Sequence, residues 1–235
     1  MTHLLIKLLF AHIFGDFALQ PNWLNNGKSD KKKGIWYQLL HGVIHAILAY
    51  TIVADWANWI IPLVIFVTHV CFDTIKARKH GDSTKWFLAD QFCHLAVIVI
   101  LWICFGDTSA LLSALNTGWI SGKMWIIALA YLLILKPTSI LLDKFFTRWQ
   151  DKLKDHKGLP NAGMWIGYCE RVLIVTFILT GNVEGIGFLL AAKSVFRFGE
   201  LNKEKEVATT EYVLFGTLAS FGLATIIGFL ATLAI

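Results

Sequence analysis

Residues 87–105 read FLADQFCHLAVIVILWICF, an apolar run that opens with three polar side chains, Asp90, Gln91 and His94. A hydrocarbon core about 30 Å thick is crossed by about 20 apolar residues in helical form, so this run predicts a transmembrane helix. Asp90 and His94 are four residues apart and therefore project from one face of that helix. Ionisable side chains within a membrane are costly and typically mark functional sites. The run thus predicts both a fold class and a site.

The composition of the whole chain agrees with a membrane protein. Of its 235 residues, 56% are hydrophobic and 16% are charged, and the mean hydropathy is +0.61, which excludes an ordinary soluble domain. The net charge of +5 does not indicate nucleic-acid binding, because Lys and Arg lie in short clusters between apolar runs. The four cysteines include no closely spaced pair, so neither a disulfide framework nor a thiolate zinc site is expected.

Apolar runs near membrane-spanning length recur along the chain and predict an all-α transmembrane bundle. They lie at about 2–21, 35–54, 59–78, 86–106, 123–145, 163–181, 184–199 and 211–234. This gives eight spans, or seven if 184–199 is re-entrant, and the segment 108–121 is long enough for a short interfacial helix. We divide the single membrane unit into a four-helix half, 1–106, and a second four-helix half, 107–235.

Basic and non-basic connections alternate along these runs. Lys and Arg cluster at 22–34, 76–85, 144–157 and 197–205, whereas the connections near 55–58, 107–122 and 182–184 contain neither residue. The positive-inside rule places the basic connections in the cytoplasm. With eight spans, both termini are then expected outside the cytoplasm.

The spacing of polar side chains seen in 87–105 recurs on the three preceding apolar runs. Each carries imidazole or carboxylate groups at intervals of four residues: His12, Asp16 and Gln20 on the first, His41 and His45 on the second, and His69 and Asp73 on the third. In the predicted topology all of these positions lie toward the cytoplasmic side. We therefore expect one polar nest in that part of the bundle.

Imidazole and carboxylate groups at this spacing on facing helices are typical of metal sites in helix bundles. We expect a divalent ion (zinc, manganese or iron), and the groups suffice for one ion or two. The predicted ligands are His41, His45, His69, Asp73, Asp90 and His94. Asp16 is predicted as a further ligand or general base, with His12 and Gln20 positioning water or substrate. Such an ion lowers the pKa of a bound water towards about 7 and polarises phosphoryl oxygens.

A second polar set lies in the later runs. It comprises Glu170, Arg171, Lys193, Arg197 and Glu211. Two interpretations are open for it. Either these residues pair with one another inside the bundle, or Arg171, Lys193 and Arg197 bind the phosphate of an anionic membrane lipid, together with Lys76 of the first half.

Motifs in order along nearly the whole chain give it a family resemblance. They are HIFGDFALQ at 12–20, FDTIKARK at 72–79, FLADQFCH at 87–94, LPNAGMWIGYCERVLI at 159–174 and GFLLAAKSVFRFGE at 187–200. With them the chain resembles DUF3307, a bacterial family of integral membrane proteins of unknown function. The resemblance implies a multi-pass protein of the bacterial inner (cytoplasmic) membrane and supplies no activity.

A looser likeness is to inner-membrane proteins described as putative metal-dependent hydrolases. They also carry a His-x3-His helix, as His41 and His45 do here. Their pattern continues with Arg-Gly, where this sequence has Ala46 and Ile47.

Three functions follow as hypotheses. The first is a metal-dependent hydrolase or transferase acting on a lipid-linked phosphoester. The second is a proton- or cation-coupled transporter that uses the same residues as a relay, and the third is a membrane scaffold or regulatory protein with a closed, ion-paired nest. The outer halves of the spans are nearly free of ionisable residues, and no internal repeat is evident, so the enzyme is favoured over the carrier.

Overall fold

The computed structural model describes residues 4–30, 32–78, 84–106, 121–150, 161–198 and 207–235, and the regular structure within these ranges is helical throughout. The elements are α1 (Leu4–Ile13), a π-helix (Phe14–Ala18), α2 (Asn22–Gly27), α3 (Gly34–Val53), α4 (Ile60–Arg78), α5 (Thr84–Phe105), α6 (Ser121–Ile134), α7 (Lys136–Gln150), α8 (Ala162–Leu179), α9 (Glu184–Phe198) and α10 (Val207–Ala234).

Six stretches within the described ranges are long and apolar enough to cross a membrane. They are Gly34–Val53, Ile60–Ala77, Lys85–Phe105, Gly122–Thr147, Ala162–Leu179 and Thr210–Ala234. The predicted all-α, multi-pass architecture is therefore confirmed. The number of spans and the side on which each terminus lies stay predictions.

Two predicted spans are built from shorter elements than expected. The first apolar run is divided into α1 and the π-helix, and it ends before Pro21, while the run at 184–199 forms the fifteen-residue α9. Nearly all of the segment 108–121, and much of the basic connections (79–83, 151–160 and 199–206), lies outside the described residues.

The chain forms two compact units, Met1–Leu129 and Ala130–Ile235. The boundary thus falls inside α6, beyond the 106/107 division taken from the sequence. In the first unit α3 packs along α4, and α1 and α5 pack against this pair. In the second unit α10 packs along α8, with α9 against α8 and α7 against α10.

The first unit has an apolar end and a polar end. Its buried apolar cluster consists of Leu4, Leu8, Ala49, Ile61, Ile98 and Leu101. These residues come from the start of α1, the end of α3, the start of α4 and the end of α5. Lys7 Nζ also donates to the Val53 carbonyl at 3.1 Å, so α1 starts beside the end of α3. The opposite ends of the same helices meet at the polar end, where the candidate site lies.

Candidate metal centre

Asp16 reaches the site from the π-helix, where the chain departs from regular α-helical geometry. Such π-helical turns are rare in proteins, and those that are found often lie at functional sites. The turn lies directly against α3: a Cβ added to Gly15 would be 2.5 Å from Cε1 of His45. A glycine is therefore needed at this position, because a side chain would push the turn away from the α3 imidazoles.

Four imidazoles surround the Asp16 carboxylate. Its Oδ1 lies 3.0 Å from Nε2 of His41, 3.1 Å from Nε2 of His45 and 3.4 Å from Nε2 of His69. Its Oδ2 lies 3.6 Å from Nε2 of His12. No imidazole of this set is more than 5% exposed. The ion-pair partners of Asp16 in the described part of the chain are these histidines.

Most of these contacts lack hydrogen-bond geometry. Of the four contacts, that of His41 has hydrogen-bond geometry, whereas the buried Nε2 atoms of His12, His45 and His69 find no hydrogen-bond partner among the described residues. Buried polar atoms are normally hydrogen-bonded, so each exception requires an explanation. A shared cation explains all three, because it accepts the lone pairs that neutral imidazoles direct toward it.

The spacing of the ligand atoms suits one ion. One ligand atom from each of His12, Asp16, His45 and His69 lies within 4.8 Å of the others. Ligands bound to zinc at about 2.0–2.1 Å lie no more than about 4.2 Å apart. The set would thus close on an ion with a small contraction. Two further groups of the same kind, His41 with His69 and Asp73, and Asp73 with Asp90 and His94, adjoin it.

The imidazoles also form a stack that crosses the bundle. The ring centroids of His45 and His69 are 3.7 Å apart, and those of His69 and His94 are 3.9 Å apart, both in stacked orientation. His94 Nε2 in turn lies 3.4 Å from Oδ1 of Asp90. The stack therefore links the Asp16 carboxylate to the Asp90 carboxylate through three rings.

Two lysines neutralise the remaining carboxylates. Lys28 Nζ lies 2.6 Å from Oδ2 of Asp73, and Lys76 Nζ lies 2.7 Å from Oδ2 of Asp90. Lys28 is buried, as are both aspartates. Sequence reasoning missed this role for Lys28, which it treated as one charge of a basic connection. No periodicity marks the residue, because it lies outside every apolar run.

Two glutamines fasten the segment that carries Lys28. Gln38 Nε2 donates to the Lys28 carbonyl at 3.1 Å, and its Oε1 accepts from Thr74 Oγ1 at 2.7 Å. With its amide oriented to satisfy both groups, Gln20 donates to the Asp16 carbonyl at 3.1 Å and accepts from Lys28 Nζ at 2.5 Å. Gln20 thus joins the π-helix to the Lys28 segment.

Every residue predicted for the first-half nest lies at this one end of the first unit. The set is His12, Asp16, Gln20, His41, His45, His69, Asp73, Lys76, Asp90 and His94. Gln91 joins it with a role the sequence did not assign, because its Nε2 donates to Asp16 Oδ2 at 2.9 Å. Which of these residues bind a metal stays a prediction.

A small cavity adjoins the imidazoles on their apolar side. It is lined by His12, His45, His69 and His94, and by aliphatic side chains such as Leu8. Its volume is about 20 Å³, and a water molecule requires about 10–15 Å³ on this measure. The cavity therefore admits one water or a bare ion and is too small for a lipid headgroup.

In the second unit, each guanidinium nitrogen of Arg171 donates to a protein group. It is 3% exposed, its Nε donates to the Ile134 carbonyl, and its Nη1 and Nη2 donate to the hydroxyls of Ser220 and Ser139 at 3.1 and 2.6 Å. Ile134 ends α6, just before Pro137 interrupts the helix. Arg171 thus binds a carbonyl at a helix break.

The other members of the second polar set are placed as follows. Lys193 Nζ lies 2.7 Å from each carboxylate oxygen of Glu170. Glu211 is exposed, and the side chain of Arg197 lies outside the described residues. The pairing interpretation therefore accounts for Glu170 and Lys193, while phosphate binding by Arg171, Lys193 and Arg197 stays a prediction.

Comparison with known proteins gives one match. The family model described as "Protein of unknown function (DUF3307)" matches residues 4–121, half of the chain, which includes α1 and α3 to α5. No curated protein and no solved structure matches the chain. The looser likeness to metal-dependent hydrolases stays a prediction.

Proposed function

Because the chain belongs to the DUF3307 family, whose description names no activity, we propose a function from the site itself: a multi-pass membrane metalloprotein that holds one divalent transition-metal ion. The ligands come from Asp16 and the surrounding histidines. The observation that carries this proposal is the convergence of three buried imidazole nitrogens on one carboxylate, in contacts that lack hydrogen-bond geometry. Imidazole with carboxylate is a ligand set of zinc, iron and manganese sites.

We propose that the ion serves hydrolysis or group transfer on a lipid-linked phosphoester. A metal of this class activates a bound water and polarises a phosphoryl oxygen, and catalytic sites of this kind keep one coordination position for that water. The alternation of basic connections supports placement in a bacterial inner membrane with the site toward the cytoplasm. Phosphorylated lipid headgroups are accessible there.

Proton- or cation-coupled transport is the second candidate, and two observations favour it. The stack of His45, His69 and His94 leads to Asp90 as a chain of proton-exchanging groups, which is how membrane relays are built. The cavity of about 20 Å³ also admits an ion and no larger solute. The scaffold hypothesis is supported less, since ion pairing alone gives no reason for the Nε2 atoms of His12, His45 and His69 to contact Asp16 without hydrogen-bond geometry.

The metal site is tested by elemental analysis of detergent-purified protein after incubation with zinc, manganese or ferrous iron and removal of the excess. Wild type and Asp55→Asn, a matched change in the turn between α3 and α4 at the apolar end, are expected to retain close to one ion per chain. Asp16→Asn is expected to lose it, because the carboxylate central to the ligand set is gone. Equal metal in Asp16→Asn and wild type, or none in wild type, contradicts the proposal.

The two functions are then separated with the metal-loaded protein. An enzyme is expected to release product from phosphorylated lipids in mixed micelles, with activity lost in Asp16→Asn and retained in Asp55→Asn. A carrier is expected to move zinc or protons into sealed vesicles without consuming lipid. Uptake of zinc or protons without lipid turnover would contradict the enzyme and support the transporter.

A further inference from the structure

We infer that the metal-loaded site takes one monoanionic phosphoryl ligand, of the phosphodiester class, at its Lys28 and Lys76 end. The inference rests on the metal site proposed above and names the class of ligand that this site accepts. Three observations carry it: the charge of the site, the partial exposure of Lys76, and the size of the cavity on the other side of the site.

The net charge of the site favours one bound metal ion together with one monoanion. The described residues contribute three carboxylates, Asp16, Asp73 and Asp90, and two ammonium groups, Lys28 and Lys76. With neutral imidazoles this leaves one negative charge, and one divalent ion changes it to one positive charge. A second divalent ion would raise it to three, which is strongly opposed in a low-dielectric interior. One metal together with one monoanion is therefore the neutral loading.

The exposure of the charged side chains indicates the route by which an anion reaches the site. The side chain of Lys76 is 30% exposed, whereas those of Asp90, Lys28 and Asp73 are 5, 10 and 6% exposed. Lys76 is thus the member through which a solute reaches the site. Ligand atoms of Asp73, Asp90 and His94 lie within 4.8 Å of one another. The two lysines therefore flank one compact region next to the metal ligands.

The cavity on the opposite side excludes the alternative route. Its volume of about 20 Å³ suits a water or a bare ion, while a phosphoryl group is larger. An anion entering from that side would lose its hydration with no ammonium group to replace it. The lysine end is consequently where a phosphoryl group is stabilised.

The class of anion follows from charge and chemistry. A phosphomonoester carries about 1.5 to 2 negative charges at neutral pH, whereas a diester carries one and neutralises the metal-loaded site. Lys ammonium groups bind phosphate oxygens as point charges. The same diester chemistry occurs in a phospholipid headgroup and in a free solute, so the experiment includes both.

The inference is tested with cobalt(II)-loaded full-length protein, whose visible absorption reports changes at the metal. The probes are dimethyl phosphate, a short-chain phosphatidylglycerol, and acetate. We expect saturable spectral changes with the two anionic diesters. Lys76→Met is expected to weaken their binding about 10-fold or more by removing one charge beside the anion, and Lys76→Arg to restore most of it. Lys85→Met, an exposed lysine at the start of α5, is the control and is expected to match wild type.

Each outcome has a defined meaning. Cobalt binding without a diester response, equal diester affinity in Lys76→Met and Lys85→Met, or equal binding of acetate overturns this inference and leaves the metal site standing. Absence of cobalt binding in wild type overturns the proposed function, and this inference with it. Tighter binding of phosphatidylglycerol than of dimethyl phosphate identifies a lipid headgroup as the source, and equal binding identifies a free diester.

Discussion

Arg171 in the second unit and Asp16 in the first are both charged side chains within apolar helices, and their surroundings differ. Arg171 donates to a backbone carbonyl and two serine hydroxyls, and its neighbour Glu170 pairs with Lys193. Around Asp16, three buried imidazole nitrogens lack hydrogen-bond partners in the described ranges. The type of residue is thus a weaker guide to function than the degree to which its hydrogen bonds are satisfied.

The helix break at Pro137 explains why a buried arginine, Arg171, is needed in this unit. Proline has no N–H for the Leu133 carbonyl, and Thr138 Oγ1 donates to that carbonyl instead, at 2.7 Å. Arg171 binds the next carbonyl, of Ile134. Backbone groups freed inside a membrane must find partners within the protein. Among the described residues, the hydrogen bonds of the Asp16 carboxylate go to side chains, those of His41 and Gln91, and the metal ion proposed above accounts for this arrangement.

The largest effect is expected from Gly15→Ala, which alters the contact between the π-helix that carries Asp16 and His45. The new Cβ would lie 2.5 Å from the His45 ring, so either the π-helix or the imidazole must shift. We expect metal affinity, measured by competition with a zinc chelator, to fall roughly 100-fold or more, since a site is lost when its ligands move by about 1 Å. Overpacking should also lower the free energy of unfolding by about 1–3 kcal/mol.

The matched control is Gly163→Ala in α8, where an added Cβ meets nothing within 4 Å. It is expected to leave metal affinity unchanged. Wild-type metal affinity in Gly15→Ala would show that the π-helix does not position the ligands, and would remove the geometric basis of the proposed centre.

The second-largest effect is expected from Arg171→Leu, a substitution in the second unit. Three hydrogen bonds are lost, and buried bonds in membrane proteins contribute about 0.6–1 kcal/mol each, so we expect about 2–3 kcal/mol less resistance to unfolding in mixed micelles. Ser139→Ala and Ser220→Ala should each show a fraction of this loss. Metal content should stay at the wild-type value. Full stability with loss of phosphate binding would instead favour the ligand-binding role predicted for Arg171 from the sequence.

Much of the site could be predicted because helical period and topology together are strong constraints. Intervals of four residues place His69 with Asp73, and Asp90 with His94, on single helix faces. Antiparallel succession of α3, α4 and α5 then brings those faces to one end of the bundle. The structure places the predicted residues together there. The fold class followed from hydropathy alone.

The positions of other site residues depend on local backbone geometry that helical periodicity does not predict. An α-helical stripe through His12, Asp16 and Gln20 was predicted, yet the π-helix ends at Ala18, and Gln20 beyond it bonds to the Asp16 carbonyl and to Lys28. Gly15 within the motif was the available signal, since glycine permits close backbone approach. Lys28 could not be distinguished from other basic loop residues, because its burial depends on how the loop folds back onto Asp73.

The smallest effect is expected from Gln91→Leu, which removes one hydrogen bond to the Asp16 carboxylate and leaves every proposed metal ligand in place. Gln91 Nε2 donates to Asp16 Oδ2 at 2.9 Å and so fixes the carboxylate rotamer that presents Oδ1 to His41 and His45. Loss of such supporting bonds typically costs 10–100-fold in metal affinity, and we expect about 10-fold, because Oδ1 keeps its contacts. The control is Gln38→Leu, which removes a buried glutamine that bonds to Lys28 and Thr74 and not to Asp16. If both variants bind zinc equally well in the same chelator competition, the carboxylate is oriented by its histidines alone.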